Sequence, residues 1–365
     1  MVSAPKSIRN AVEELVASTH PGAIVETIHA FGIDTTVGDA TSKAAGYGKP
    51  LLVTLREESG ETLRVVLHTA SANIFGHDRR ADRAAEMLLA YDTFGDIPGH
   101  VQALDVGAID SDGTLLSLNS VGEFFVLTGY AEGHIYADDL RRIARERLCT
   151  PIDVGRAQQL GEYLAKLHVS TSAPASVYTR SIRDLVGSGE GIFGIIDGYP
   201  KDADKVSRAQ LMSIEKACVE WRWRLNDDDR LTRIHGDFHP FNVLFTGASR
   251  MSLLDASRGS RGDPADDLTA MAINYVFFAL QSEGSWERGL GPLWHAFWTS
   301  YFDHRKDDGL LASGPPFWAW RTLVLANPAW YPDITDTVRQ TLLDFAEKTL
   351  ADIALDLRSV EELFN

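Results

Sequence analysis

The chain has 365 residues, which excludes a single small module and suits two domains or one large bilobal unit. Hydrophobic residues make up 44% and charged residues 24%, a globular composition that excludes a disordered or fibrous chain. Against 51 acidic residues stand 35 Lys and Arg, a net charge of -16 that makes nucleic acid and anionic bilayers poor partners.

Residues 1–18 carry charges through what would be the apolar core of a signal peptide, and no apolar run of about 18 residues occurs, so a soluble, unprocessed protein without a membrane span is expected. Cys149 and Cys218 have no Cys or His at metal-ligand spacing, which points to a reducing cytoplasm and away from disulfides or zinc.

Residues 7–18 predict an amphipathic helix with Ser7 as N-cap and Ile8, Val12, Leu15 and Val16 as its apolar stripe. Strands are expected at 23–31, 50–56 and 62–69, the last two joined by a turn at Glu58-Ser59-Gly60. Residues 32–49 hold Gly32, Gly38, Gly46 and Gly48, either a plain loop or one whose backbone amides approach phosphates. A helix over 78–91, with Asp78 as N-cap, follows from Ala81, Ala84, Ala85, Leu88 and Leu89. Further strands at 101–108 and 123–130 complete a compact α+β lobe of five strands. Beyond Gly133 the pattern turns helical, at 154–168, at 206–225 and after Asp267. Six of the eight tryptophans fall between Trp286 and Trp330, mostly as helix-packing residues, with a minority free to line an acceptor pocket or stack on a cation.

The stretch that carries chemistry is RIHGDFHPFNVLF, residues 233–245, followed by Asp255 in MSLLDASRGSRGDPADDL. Two short strands, Val243-Leu244-Phe245 and Ser252-Leu253-Leu254, read as a hairpin that brings Asp255 back beside Asn242. Two oxygen ligands then converge near a further carboxylate, that of Asp237. Hard oxygen ligands in small number suit Mg²⁺, and Asp237 is left to accept a proton from a hydroxyl.

This segment resembles the aminoglycoside phosphotransferase and choline kinase family, whose catalytic stretch reads H-G-D-x-x-x-x-N followed by a later Asp. Leu160–His168 looks like the family's helix before the catalytic loop, and Gly262-Asp263-Pro264 with Asp267 resembles its G-D-P-x-x-D segment. The resemblance covers residues from about 23 to 280. It implies a bilobal protein-kinase-like α+β fold, with a small antiparallel five-stranded N-lobe (1–128) that binds nucleotide. A linker near residues 126–135 leads to a larger, mostly helical C-lobe (129–365) carrying the catalytic loop and acceptor pocket. It implies Asp237 as catalytic base, Asn242 and Asp255 as magnesium ligands, and transfer of the γ-phosphoryl of ATP or GTP to a small-molecule hydroxyl. His235 and His239 are expected to brace the loop, and Asp263 and Asp267 to act as caps and scaffold contacts.

Two positions depart from the family. Where its third strand carries a phosphate-contacting Lys, this chain has His68. A protonated His68 fills that role, or Lys43 or Lys49 substitutes, or the chain is a catalytically silent pseudokinase. Asp82, at the edge of the helix stripe, is the candidate partner of His68, whereas Glu86 points further toward solvent. After Asp255, where many relatives have Trp-Glu, the chain has Ala256-Ser257 and then Arg258 and Arg261. These arginines either grip an anionic substrate group or pair with Asp263 and Asp266. A metal-dependent hydrolase remains a third reading, and needs more ligands than the chain displays together.

Overall fold

A computed structural model describes residues 7–30, 50–200, 206–226, 228–256 and 258–364. Lys43 and Lys49, and the glycine-rich stretch that holds them, lie outside the described residues. The architecture is mixed helix and sheet, and the chain divides into two compact units, Met1–Thr128 and Gly129–Asn365.

In the first unit, α1 (Ile8–Thr19) starts where Ser7 accepts the Asn10 N–H. An antiparallel sheet follows in the order β1 (Ile24–Ala30), β2 (Leu51–Arg56), β3 (Thr62–Leu67). Alternation along β2 turns Val53 and Leu55 to one face, where they join Val25, Leu115 and the buried stripe Ala11, Val12 and Val16 of α1. Helix α2 (Arg80–Thr93) begins after Arg79 rather than Asp78: Asp82, three residues into the turn, accepts the Arg79 backbone N–H at 2.8 Å.

Among the described residues the five strands of this unit fall into two sheets. Residues 101–106 and 121–130 are irregular, and the remaining strands are a separate hairpin of β4 (Gly107–Ile109) with β5 (Leu115–Ser117). The cause is local. Asp110 accepts the N–H groups of Asp112 and Thr114, and Gly113 takes φ +85°, so the chain reverses early and pairs onto 115–117.

The second unit holds β6 (His134–Ile135), α3 (Tyr136–Glu146), α4 (Pro151–Leu167), α5 (Ala175–Gly187), α6 (Ile192–Asp197), α7 (Arg208–Arg224), β7 (Thr232–Arg233), β8 (Val243–Thr246), β9 (Arg250–Leu253), β10 (Arg261–Gly262), α8 (Ala265–Leu280), α9 (Gly291–His304), α10 (Leu310–Ala326) and α11 (Asp336–Ala351). Helix α8 is buried on every side from Ala265 to Ala279, as its nearly unbroken apolar sequence requires. Helix α10 contains Pro315 and Pro316. Pro315 has no N–H to give the Leu311 carbonyl, which instead accepts the Leu355 N–H at 2.7 Å, so the chain after α11 fills the gap. No described helix is long and apolar enough to cross a membrane.

Two small pairings set the geometry of the motif segment. Strand β7 pairs with β10, and β8 with β9, both antiparallel. The loop 234–242, between β7 and β8, and the loop 254–260, between β9 and β10, are therefore forced side by side.

Helices α4 and α9 approach closely at Gly161, where an added Cβ would stand 2.3 Å from the Phe297 carbonyl oxygen and 3.0 Å from the Tyr301 nitrogen. Both are backbone atoms that cannot turn aside. Gly161→Ala is therefore expected to lower stability by about 1–3 kcal/mol despite its better helix propensity. Urea denaturation checks this, and a stabilised variant would contradict the close approach.

Candidate active site

The loop 234–242 has almost no regular hydrogen bonding of its own, and its backbone is held from the start of α8. Asp267 is fully buried, and its carboxylate accepts the N–H of His235 at 2.7 Å and of Gly236 at 2.8 Å. Its Oδ2 also meets Nε2 of His168 at 3.2 Å, and His168 Nδ1 meets the Tyr301 hydroxyl at 3.0 Å. Burial alone would raise the Asp267 carboxyl. The His168 ring and the two N–H donors outweigh it and hold the group below the usual carboxylate range. Gly236 takes φ +83°, and a Cβ there would come within 2.6 Å of the Gly259 carbonyl oxygen, so glycine is required where the two loops cross.

Asp237, Asn242 and Asp255 are brought together. The Asn242 side-chain NH₂ donates to the Asp237 carbonyl at 3.1 Å, to Asp237 Oδ2 at 3.3 Å and to the Asp255 carbonyl at 3.4 Å. The Leu254 N–H donates to the Asn242 carbonyl at 2.9 Å, so the loop and the end of the hairpin are joined through the backbone as well. Asp255 is exposed and adopts φ +49°. Among the described residues, neither its carboxylate nor the Asn242 Oδ1 takes part in a hydrogen bond or ion pair. Two open hard oxygen donors fit Mg²⁺ with its remaining positions left to water and phosphate. No cluster of three or more His, Cys, Asp or Glu suited to a metal ion occurs among the described residues.

The two loop histidines act on the loop itself. His235 Nδ1 accepts the Asp237 N–H at 3.3 Å, and its ring meets Phe238 edge-on. His239 Nδ1 accepts the Phe241 N–H at 3.2 Å, while Nε2 stands 3.4 Å from Asp237 Oδ2. Asp263 is buried and saturated: Arg230, the Tyr178 hydroxyl, the Ser313 hydroxyl and the Ala265 N–H all donate to it. It meets Arg230, not Arg258 or Arg261.

Arg258 instead reaches Asp237 Oδ1 at 3.1 Å and Asp266 Oδ1 at 3.4 Å. Arg321 of α10 reaches the same two oxygens, at 3.0 and 2.7 Å. Burial would raise the Asp237 carboxyl, but the His239 hydrogen bond and then the Arg321 and Arg258 charges hold it far below the usual range. Burial pushes the neighbouring Asp266 up. Arg321 was not singled out from the sequence. The signal available was a single Arg in the apolar run FWAWRTLVLA, since a charge on a buried helix requires a partner.

In the first unit, His68 is exposed just beyond the end of β3. Asp82 accepts the Arg79 backbone N–H at the start of its own helix, and Glu86 engages His77 at 3.1 Å.

A family model for the phosphotransferase enzyme family matches residues 57–297. No curated protein matches the sequence. Among solved structures, the chain is similar to a glucosamine kinase at 15% identity over 93% of this chain and 96% of that one, with a TM-score of 0.40. It is similar to a choline/ethanolamine kinase family protein from Mesorhizobium loti at 14% identity, covering 95% and 96%, with a TM-score of 0.37. A spectinomycin phosphotransferase in complex with ADP and spectinomycin is similar at 14% identity, covering 97% of each chain, with a TM-score of 0.30.

Asp267→Ala leaves the buried N–H groups of His235 and Gly236 without an acceptor, and about 3 kcal/mol or more of stability should be lost. Because the folded carboxyl is lowered, its contribution is complete above the ordinary value of about 3.9 and disappears as pH falls through the lower folded value. The stability gap between wild type and Asp267→Ala in urea should therefore be constant from neutrality to about pH 4 and narrow below it. A gap that stays constant under acid would contradict an ionised clamp.

Proposed function

Because the chain belongs to the phosphotransferase enzyme family, we propose that it moves the γ-phosphoryl group of ATP, or GTP, to a hydroxyl of a small molecule. The observation that carries this reading is the convergence of Asp237, Asn242 and Asp255 on one loop crossing. Asp237 is the group that receives the acceptor's proton and orients its hydroxyl. Asn242 and Asp255 would hold Mg²⁺, which neutralises phosphate charge when bound. His235 and His239 keep the loop in place, and Asp263 is a scaffold contact that ties the start of α8 to Arg230, α5 and α10.

Nucleotide binding is assigned to residues 1–128, and acceptor binding and catalysis to 129–365. Phosphate contact falls to His68 or to one of Lys43 and Lys49. Asp82, which also accepts the Arg79 N–H at the start of α2, is the proposed partner of His68. A catalytically silent pseudokinase is not favoured, since the chain keeps all three chemistry-bearing residues.

Transfer from Mg·ATP and Mg·GTP to a panel of hydroxyl compounds tests the reading. Asp237→Asn should bind nucleotide and lose transfer by about 10²-fold or more. Asp255→Ala should lose most of the Mg·ATP affinity seen by calorimetry. Equal turnover in wild type and Asp237→Asn would remove Asp237 from the chemistry, and unchanged Mg·ATP affinity in Asp255→Ala would remove the metal assignment.

A further inference from the structure

Arg258 and Arg321 stand over the same indole, with their guanidinium carbons 4.4 and 4.0 Å from the centre of the Trp320 ring. Two like charges held this close, with side chains only 20% and 10% exposed, need anions, and Asp237 and Asp266 supply two. Arg321 is forked between them, with one Nη on each. Arg258 is not. Both of its contacts come from Nη2, and the one to Asp266, at 3.4 Å, is long for a charged pair.

Among the described residues, Arg258 Nη1 donates no hydrogen bond, and Nε is buried without a partner. Contact with the indole uses the face of a guanidinium, so its N–H edge remains for bonding. Arg258 thus combines an idle Nη1, a side chain partly open to solvent and a place beside Asp237, while its Nε is closed off.

We propose that the idle Nη1 of Arg258, backed by Arg321 and Trp320, binds an oxyanion of the acceptor, a carboxylate or a phosphate. The acceptor is then an anionic alcohol whose charged group lies a few bonds from the hydroxyl presented to Asp237. This rests on the phosphotransferase reading above and narrows its substrate class.

The test is binding of four probes to the full chain by calorimetry without nucleotide: glycerate and glycerol 3-phosphate as the two oxyanion sources, glycerol as the neutral form and serinol as the cationic one. At least one anion should bind about tenfold or more tighter than glycerol and serinol, as expected for a charge-assisted pair. Arg258→Gln should abolish that preference, and Arg258→Lys, which keeps the charge without the fork, should restore part of it. Unchanged thermal unfolding of the free variants separates loss of binding from loss of fold. Anions that bind no better than glycerol, or not at all, overturn the proposal, as does a preference that survives in folded Arg258→Gln. The same probes are then offered with Mg·ATP. Anion binding without transfer to any probe counts against the phosphotransferase reading alone. Transfer to glycerol or serinol with KM unchanged in Arg258→Gln counts against the anionic acceptor alone.

Discussion

A carboxylate with no exposed surface has to find its hydrogen bonds inside the protein, and those Asp267 finds are the backbone of the loop where the chemistry is proposed to occur. Asp267 lies in the first turn of α8, where the helix dipole favours negative charge. Because α8 is packed on all sides, its start cannot move without disturbing the core, and the loop inherits that rigidity through two N–H groups. The His168 ring extends the support to the end of α4, and through Tyr301 to α9.

The loop is steadied in two ways that do not replace each other. Asp267 fixes the backbone at His235 and Gly236, while Arg258, Arg321 and His239 fix the side chain of Asp237, one residue further on. Backbone support comes from the core, and side-chain support comes from the loop after β9 and from α10. Gly236 permits the two loops to cross within carbonyl contact, and the β7–β10 and β8–β9 pairings fix where that crossing lies. α10 reaches the site with two prolines in its course, its freed Leu311 carbonyl satisfied by Leu355.

Much of this is local in origin and therefore readable in the sequence. Ser7, the turn at Glu58-Ser59-Gly60 and the hairpin around Gly247 depend on neighbours within a few residues, and each forms as the pattern suggests; the stripe of α1 does so at Val12, Leu15 and Val16, whereas Ile8 is exposed and Ala11 takes a place in it. The strand expected at 123–130 does not form. Its apolar residues have strand propensity, but a strand also needs a partner edge, which no local pattern reports. The same limit applies to the site. The crowding of Asp237, Asn242 and Asp255 follows from a short hairpin, whereas the pairing of Asp237 with Arg321 spans 84 positions and depends on how α10 packs.

The central physical claim is that a buried, ionised Asp267 ties the backbone of the loop 234–242 to the core, so that loop and core open together. Hydrogen exchange at the amides of His235 and Gly236 tests it most directly. Both should exchange as slowly as amides in the middle of α8, because releasing either requires the start of that helix to come apart. Exchange as fast as at the exposed turn around Gly247, with α8 still protected, would contradict the account.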